Sequence, residues 1–251
     1  MSYTLKKSLG QHFLHDENIC KKIIAALKEE SYLQLLEVGP GAGAITKYLL
    51  QISDVQFKAV EIDNEKADYL EATFPAIQNE ILRADFLQIT APFEDEFVVI
   101  GNFPYNISSQ ILFKILEWKN QVPVIIGMFQ KEVAQRIAAQ PGNKVYGILS
   151  VLIQAYYAVE YLFDVLPSSF NPPPKVISGV IRLRRKDEIL VIKNERAFTV
   201  LVKTAFNQRR KTLRNATRSL FDEVVLQQAI FNKRAEQLAI TDFAQLTFLM
   251  K

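Results

Sequence analysis

Four consecutive residues, Asn102, Phe103, Pro104 and Tyr105, follow an apolar run that ends at Gly101, and their types suit one kind of chemistry. The Asn102 side-chain oxygen and the Phe103 carbonyl can each accept one N–H of a single exocyclic amine. Such an amine, adenine N6 for example, is a poor nucleophile because its lone pair is delocalised into the ring. Two acceptors draw the nitrogen towards tetrahedral geometry and aim the lone pair at an electrophile. Pro104 fixes the backbone between acceptor and aromatic, and Tyr105 offers a face on which a base can stack. No strong base is required, since the nitrogen becomes acidic as it is alkylated and its proton can leave to solvent. The competing reading is a proline turn with a buried tyrosine.

A second group has the make-up of a cofactor site. The segment 35–46 is a strand pattern running into Gly39, Gly41 and Gly43 and then a helical pattern. Glycines remove side chains where a ligand must approach the backbone, and a helix N-terminus offers free N–H groups. The third glycine comes one residue early for the dinucleotide fingerprint. Glu61, 22 residues beyond Gly39, ends the next apolar run, where a carboxylate can accept both ribose hydroxyls. Asp85, with Phe86 beside it, follows the third strand region and can take an adenine amine. Strand-end residues in the order Gly39, Glu61, Asp85 suit S-adenosylmethionine, which carries a sugar and a base but no phosphate. One cysteine, Cys20, and two histidines give no metal-ligand set, so a metal-free site in a reducing compartment is expected.

These groups must be held by a regular scaffold, and the patterning supplies one. Apolar runs at 33–38, 57–62, 97–100 and 124–128 read as strands, and helical patterns fill 46–51, 65–73, 109–117 and 131–139. Such alternation predicts βαβ units around a buried, mainly parallel sheet, the Rossmann-like α/β class. Runs at 159–163 and 176–183, either side of a turn-rich segment with four prolines, add antiparallel strands. Asp16 is a fitting N-cap for a first helix with Cys20, Ile23, Ile24 and Leu27 on its inner face. After the charged residues 184–188 the pattern is helical to the end. The expected division is therefore a catalytic domain over 1–186 and a small all-helical domain over 187–251.

With 49% hydrophobic residues and no signal-peptide or membrane-spanning pattern, the chain reads as a cytoplasmic globular protein. Its net charge is only +3, but residues 187–251 hold eleven basic against seven acidic side chains. The run 203–218 has six basic residues and no acidic one. As a single helix it would gather Lys203, Arg210, Lys211, Arg214 and Arg218 within an arc of roughly 100°. Such a face suits a polyanion, because Lys and Arg displace the counterions of phosphates. With Arg209 beside them, Arg210, Lys211, Arg214 and Arg218 are the RNA-binding candidates; a solvated face is the alternative.

The segments GQHFL (10–14), EVGPGAG (37–43), NFPY (102–105), FNPPPKV (170–176) and FNQRRKTLRN (206–215) together closely resemble the KsgA-type ribosomal RNA adenine dimethyltransferases. The resemblance spans almost the whole chain in order. It implies two methyl transfers to each of two adjacent adenines in the 3′-terminal hairpin of 16S rRNA, on a 30S subunit precursor, by a monomeric enzyme. It also implies cofactor contacts at His12, Leu14, Gly39, Gly41, Glu61, Asp85 and Asn102, and an aromatic closing over the target base at Phe170. His12 departs from the family motif, which carries Asn there. The rival within the class is the erythromycin-resistance type, which modifies 23S rRNA; FNQRRKTLRN favours the small-subunit enzyme. A non-catalytic ribosome-assembly factor is disfavoured by the intact NFPY, and a nicotinamide dehydrogenase by the glycine spacing.

Overall fold

The computed structural model describes residues 12–188 and 190–251. Lys6, Lys7, Gly10 and Gln11 lie outside the described residues. The chain divides into two compact units, one ending at Ala134 and taking up again at Val159–Arg185, the other made of Gln135–Ala158 and Lys186–Lys251.

The first unit runs β1 (Phe13–Leu14), α1 (Glu17–Leu27), β2 (Gln34–Val38), α2 (Thr46–Leu49), β3 (Gln56–Val60), α3 (Asn64–Thr73), β4 (Ile81–Leu82), β5 (Val98–Asn102), α4 (Ser108–Glu117) and β6 (Val124–Gln130). In chain order α5 (Lys131–Ala138) and α6 (Ile148–Gln154), the latter in the second unit, precede β7 (Tyr157–Val165), β8 (Phe170–Asn171) and β9 (Ser178–Arg185). Seven strands form one sheet in the order β4-β3-β2-β5-β6-β9-β7. The strands β4, β3, β2, β5 and β6 are parallel and β9 is antiparallel to β6. This is the Rossmann-like α/β architecture. Its middle strands are apolar on both faces: Leu35, Leu36, Val98, Val99, Ile100, Ile125 and Ile126 are all buried, as a sheet covered by helices on both sides demands. The side chain of Asp16 accepts from Asn18 N–H (3.0 Å) and Ile19 N–H (3.3 Å) and caps α1, whose inner face carries Cys20, Ile23, Ile24 and Leu27. Beside the sheet, β1 pairs antiparallel with β8, Phe13 opposite Asn171 and Leu14 opposite Phe170.

Two glycines on adjacent strands make room for the NFPY segment. Gly101 on β5 lies opposite Gly127 on β6. A Cβ on Gly101 would come 2.8 Å from the Phe103 ring and one on Gly127 2.5 Å. Phe103 is fully buried against both. The β2–α2 turn has another requirement: Gly39, Gly41 and Gly43 all hold positive φ, at +67°, +58° and +80°.

The second unit contains the all-helical C-terminal part: α7 (Glu195–Asn207), α8 (Leu213–Ala216), α9 (Glu223–Leu226) and α10 (Ile240–Thr247), with short 3-10 turns between them. It also takes in 135–158, so a single cut near 187 does not describe the division. The reason is α6. All of its residues after the first are buried, and it packs on α7. A helix buried on every side, its polar Ser150 and Gln154 hydrogen-bonded inside, leaves no exposed face to mark it, and in sequence it sits between two strands of the sheet, which disguises it as part of the α/β layer.

The single helix expected over 203–218 is corrected by the structure. α7 buries Phe198, Leu201, Val202, Ala205 and Phe206 on one stripe and stops at Asn207; Gln208 leaves helical geometry at φ −118°, ψ 52°. Three cations follow in succession at 209–211, and Thr212, extended at φ −64°, ψ 156°, starts α8. Like charges on neighbouring residues and a β-branched residue with N-cap chemistry favour a break at this point. Among the described residues no helix is long and apolar enough to cross a membrane.

A Cβ on Gly43 would meet the Phe74 ring at 2.5 Å and Leu70 at 3.0 Å, on a backbone already at φ +80°. Gly43→Ala is therefore expected to lower the stability of the first unit by more than about 1 kcal/mol. Urea unfolding followed by fluorescence of Trp118, the one tryptophan, measures this.

Candidate active site

Parallel strands end on one side of the sheet, and the cavity lies there, as open α/β sheets place their ligand sites. It has a volume of about 270 Å³, and among its lining residues are His12, Leu14, Gly39, Gly41, Glu61, Asp85, Asn102, Phe103, Pro104 and Tyr105. The structure thus brings together ten sequence-predicted residues from β1, the glycine turn, the ends of β3 and β4, and the segment after β5.

Glu61 is buried, and both its oxygens are used: Gly41 N–H donates to one (3.2 Å) and Asp63 N–H to the other (3.0 Å). A carboxylate has about four acceptor sites, so the pair is held in place with lone pairs to spare. Burial pushes the Glu61 carboxyl above its ordinary pKa, and the two N–H donors oppose this. Asp85 Oδ1 accepts Leu87 N–H (2.9 Å), which fixes the loop after β4, and the buried Phe86 packs edge-on against Trp118 at 5.3 Å.

Glu37 is a further acidic residue in the lining that sequence reasoning gave no role. It sits fully inside β2, its carboxylate takes a hydrogen bond from the Thr46 hydroxyl (2.7 Å), and burial raises its pKa from 4.5 to about 8. The signal was present: one acid, next to last in an apolar strand covered on both faces, directly before a glycine turn.

In the NFPY segment, the Asn102 side-chain N–H donates to the His12 carbonyl at 3.1 Å. The amide is thereby oriented, with Oδ1 remaining as an acceptor. Phe103 N–H donates to the Met128 carbonyl (3.2 Å) and its ring is buried, so its backbone carbonyl is the one further polar group it can offer. The Tyr105 hydroxyl hydrogen-bonds Ser178 Oγ at the start of β9, and burial raises the phenol pKa, which keeps it neutral. The His12 ring stacks on Tyr105, centroids 5.7 Å apart at 28°, and its Nδ1–H donates to the Pro172 carbonyl at 2.8 Å. His12 therefore contributes through its backbone to Asn102 and through its ring to Tyr105.

Phe170 is placed differently from the expectation of a residue closing over a base. It is 2% exposed, pairs with Leu14 across β1 and β8, and belongs to the hydrophobic core rather than to the cavity lining. Its apolar ring gains more from that core than from an open loop.

The RNA-binding candidates separate by their partners. Arg209 donates to the Lys144 carbonyl and lies 3.6 Å from Glu236, and Arg214 Nε donates to the Leu226 carbonyl at 3.0 Å, so both tie parts of the second unit together. Arg210 and Lys211 are exposed between α7 and α8, and Arg218, 76% exposed, has only a 3.9 Å approach to Glu223. The other basic run, 182–186, is engaged throughout. Arg182 is buried against Glu29, Glu30 and Glu160, Arg184 pairs with Glu30, Arg185 with Glu96, and Lys186 donates to the Gln154 carbonyl.

The lining also tests the cofactor. Gly39 and Gly41 bring backbone without side chains to it, it holds three carboxyls, and among its described residues the only basic side chain is His12. That composition disfavours a pyrophosphate and fits a ligand with a sugar, a base and a positive sulfonium. The family model for ribosomal RNA adenine dimethylase matches residues 2–250. The chain belongs to this family. It is similar to ribosomal RNA small subunit methyltransferase A of Cytophaga hutchinsonii, 49% identical over 98% of this chain and 96% of the relative. The Flavobacterium johnsoniae protein of the same name is 50% identical over 96% and 94%. Among solved structures, a dimethyladenosine transferase from Plasmodium falciparum superposes with a TM-score of 0.79 at 25% identity, covering 95% of this chain and 99% of that one. The 23S rRNA methyltransferase ErmE gives 0.69 at 26%, covering 93% and 99%. The chain is thus an S-adenosylmethionine-dependent dimethylase.

Two measurements follow from the site of this dimethylase. The folded protein keeps a proton on Glu37 that the unfolded chain releases above about 4.5, so Glu37 makes stability fall as pH rises from about 4.5 to about 8. Glu37→Gln is expected to be more stable than the parent, by on the order of 1 kcal/mol or more at pH 8, with the gap closing towards pH 4.5. Glu61 adds a slope of the same sign and remains in the variant. Unfolding across that pH range reads the difference. Asn102→Ala removes an acceptor that the reacting amine uses most in the transition state, so the methylation rate is expected to fall by more than cofactor affinity does. Equal losses would make Asn102 a cofactor ligand only; single-turnover kinetics beside calorimetry distinguishes the two.

Proposed function

We propose that the chain is a small-subunit enzyme, which transfers methyl groups to N6 of two adjacent adenines in the 3′-terminal hairpin of 16S rRNA and does so on a 30S precursor, as a cytoplasmic monomer. The observation that carries this reading is near-half identity, across almost the entire chain, to relatives named for the ribosomal RNA small subunit, against 26% to the 23S enzyme.

Each part of the site has a place in that reaction. S-adenosylmethionine, when bound, supplies a methyl group on a sulfonium, the electrophile. Gly39, Gly41, Glu61 and Asp85 are the residues to hold it, Glu61 at the ribose and Asp85 at the adenine, with Leu14 and the backbone of His12 along the arm. Asn102 Oδ1 and the Phe103 carbonyl accept the two N–H bonds of the target amine and turn its lone pair out of conjugation. With His12 against one face of Tyr105, the other face is left to stack the base. The proton released from the methylated nitrogen leaves to solvent, and the same acceptors serve the second transfer with one N–H remaining. Phosphate contacts fall to Arg210, Lys211 and Arg218, whose side chains are exposed.

The test incubates the protein with undermethylated 30S and with 50S particles and a labelled methyl donor. Dimethyladenosine at adjacent positions of 16S rRNA is expected; label in 23S rRNA, or a product that stops at one methyl, would overturn the reading. Arg210→Gln with Lys211→Gln should weaken 30S binding and flatten its salt dependence, by roughly one unit of log–log slope for each phosphate no longer neutralised. Arg209→Gln should instead lower the stability of the second unit, since it removes an internal tie. An unchanged salt slope in the first variant would make 210 and 211 a solvated surface.

A further inference from the structure

Lysine is rarely enclosed in a protein interior, yet Lys66, in the first turn of α3, is fully buried. Its ammonium donates to Asp63 Oδ2 at 3.1 Å, both side chains being 1% exposed, and lies 5.2 Å from the centroid of the Phe13 ring. A buried ion pair seldom repays its own desolvation, and apolar residues of similar size usually do as well or better. Stability of the helix therefore does not account for this residue.

The surroundings of the ammonium do. Phe13, on β1, covers the glycine turn so closely that a Cβ on Gly41 would be 3.1 Å from its ring. Gly41 N–H donates to one oxygen of Glu61, Asp63 N–H donates to the other, and Asp63 holds Lys66. The contacts close on themselves, from Lys66 to Phe13, to Gly41, to Glu61, to Asp63 and back. They join α3 to β1, the glycine turn and the end of β3, the last three of which line the cofactor cavity.

We infer that Lys66 is a positioning residue of the S-adenosylmethionine site, fastening β1 over the glycine turn through the contact between its ammonium and the Phe13 ring. A desolvated ammonium is drawn to a ring face more strongly than an exposed one, so burial is what makes this contact effective. The same charge stands near Glu61, where it opposes the upward push of burial on that carboxyl. Lys66 touches no substrate in this scheme; it acts through Phe13 and Glu61, and the inference rests on the reading of Glu61 as the ribose ligand.

Calorimetry with S-adenosylhomocysteine on the full chain tests it without turnover. Lys66→Met combined with Asp63→Asn removes both charges together, and Asn keeps the N-cap of α3. This variant is expected to unfold with the parent's midpoint but to bind about five- to thirty-fold more weakly. Phe13→Leu should weaken binding by a comparable factor, and all three changes together should weaken it little more than either alone, because they remove one and the same interaction. Parent affinity in the folded charge-pair variant, or effects that multiply as independent sites do, would overturn the inference. Were the charge-pair variant not to fold, Phe13→Leu probes the same interaction from the arm, and parent affinity there overturns it equally. Glu61→Ala is the control: weak binding by that variant beside normal binding by the Lys66 variant sinks only the role of Lys66, whereas normal binding by Glu61→Ala withdraws the ribose reading itself.

Discussion

The site depends on one backbone constraint, the close approach of a bare turn to whatever lies in the cavity. Gly39, Gly41 and Gly43 hold positive φ in a single turn after β2, a conformation that L side chains resist. The Gly41 N–H then points at Glu61, so the turn and the carboxylate fix each other. Register does the rest. Because β2, β3, β4 and β5 run parallel and adjacent, the glycine turn, Glu61, the loop with Asp85 and the segment from Asn102 all leave the sheet on the same side. No long-range device is needed to gather them; parallel pairing alone brings residues more than sixty positions apart to one cavity.

The reacting segment is built on the opposite logic, an anchor in place of a bare backbone. Phe103 is packed where Gly101 and Gly127 leave space, and that buried ring determines where its own carbonyl and the neighbouring Asn102 emerge. The amide of Asn102 still has two possible orientations, and the His12 carbonyl selects one by accepting its N–H. The backbone of His12 therefore sets the orientation of the Asn102 amide. It also explains how His can stand where the family motif has Asn: the bond to Asn102 comes from the backbone, which is indifferent to the side chain, while the ring finds its own partners in Tyr105 and the Pro172 carbonyl.

Period and punctuation carried most of the fold. The strands around 35, 58, 99 and 126 and the helices between them are legible because buried parallel strands are continuously apolar and their helices are not, and the glycine spacing marked the turn. What stayed hidden has physical causes. Glu37 and Lys66 are ionisable residues in the interior, and a sequence pattern that sends such residues outward misplaces them. α6 is buried on every face, so periodicity could not assign it to the second unit. Phe170 looks the same in sequence whether it anchors a turn or closes over a base; the pairing of β8 with β1 is what places its ring in the core. The basic run 203–218 was a correct reading of charge and a wrong one of shape, since a helical wheel assumes the helix continues and Asn207 ends it.

Charge explains why recognition and chemistry fall to different parts of the chain. The cavity is lined by Glu37, Glu61 and Asp85; even with the proton that Glu37 retains at neutral pH, it is a place that a phosphodiester backbone avoids and that a neutral base or a sulfonium can enter. A polyanionic substrate held by such a site alone would be repelled by the acidic groups that line it. Its affinity has to come from cations elsewhere, and the arginines of β9 are committed to Glu29, Glu30, Glu160 and Glu96. In the proposed reading that attraction comes from the second unit, where 187–251 hold eleven basic against seven acidic side chains and Arg210, Lys211 and Arg218 are exposed. Separating the two lets the cavity stay acidic enough for its cofactor while the chain as a whole still binds RNA.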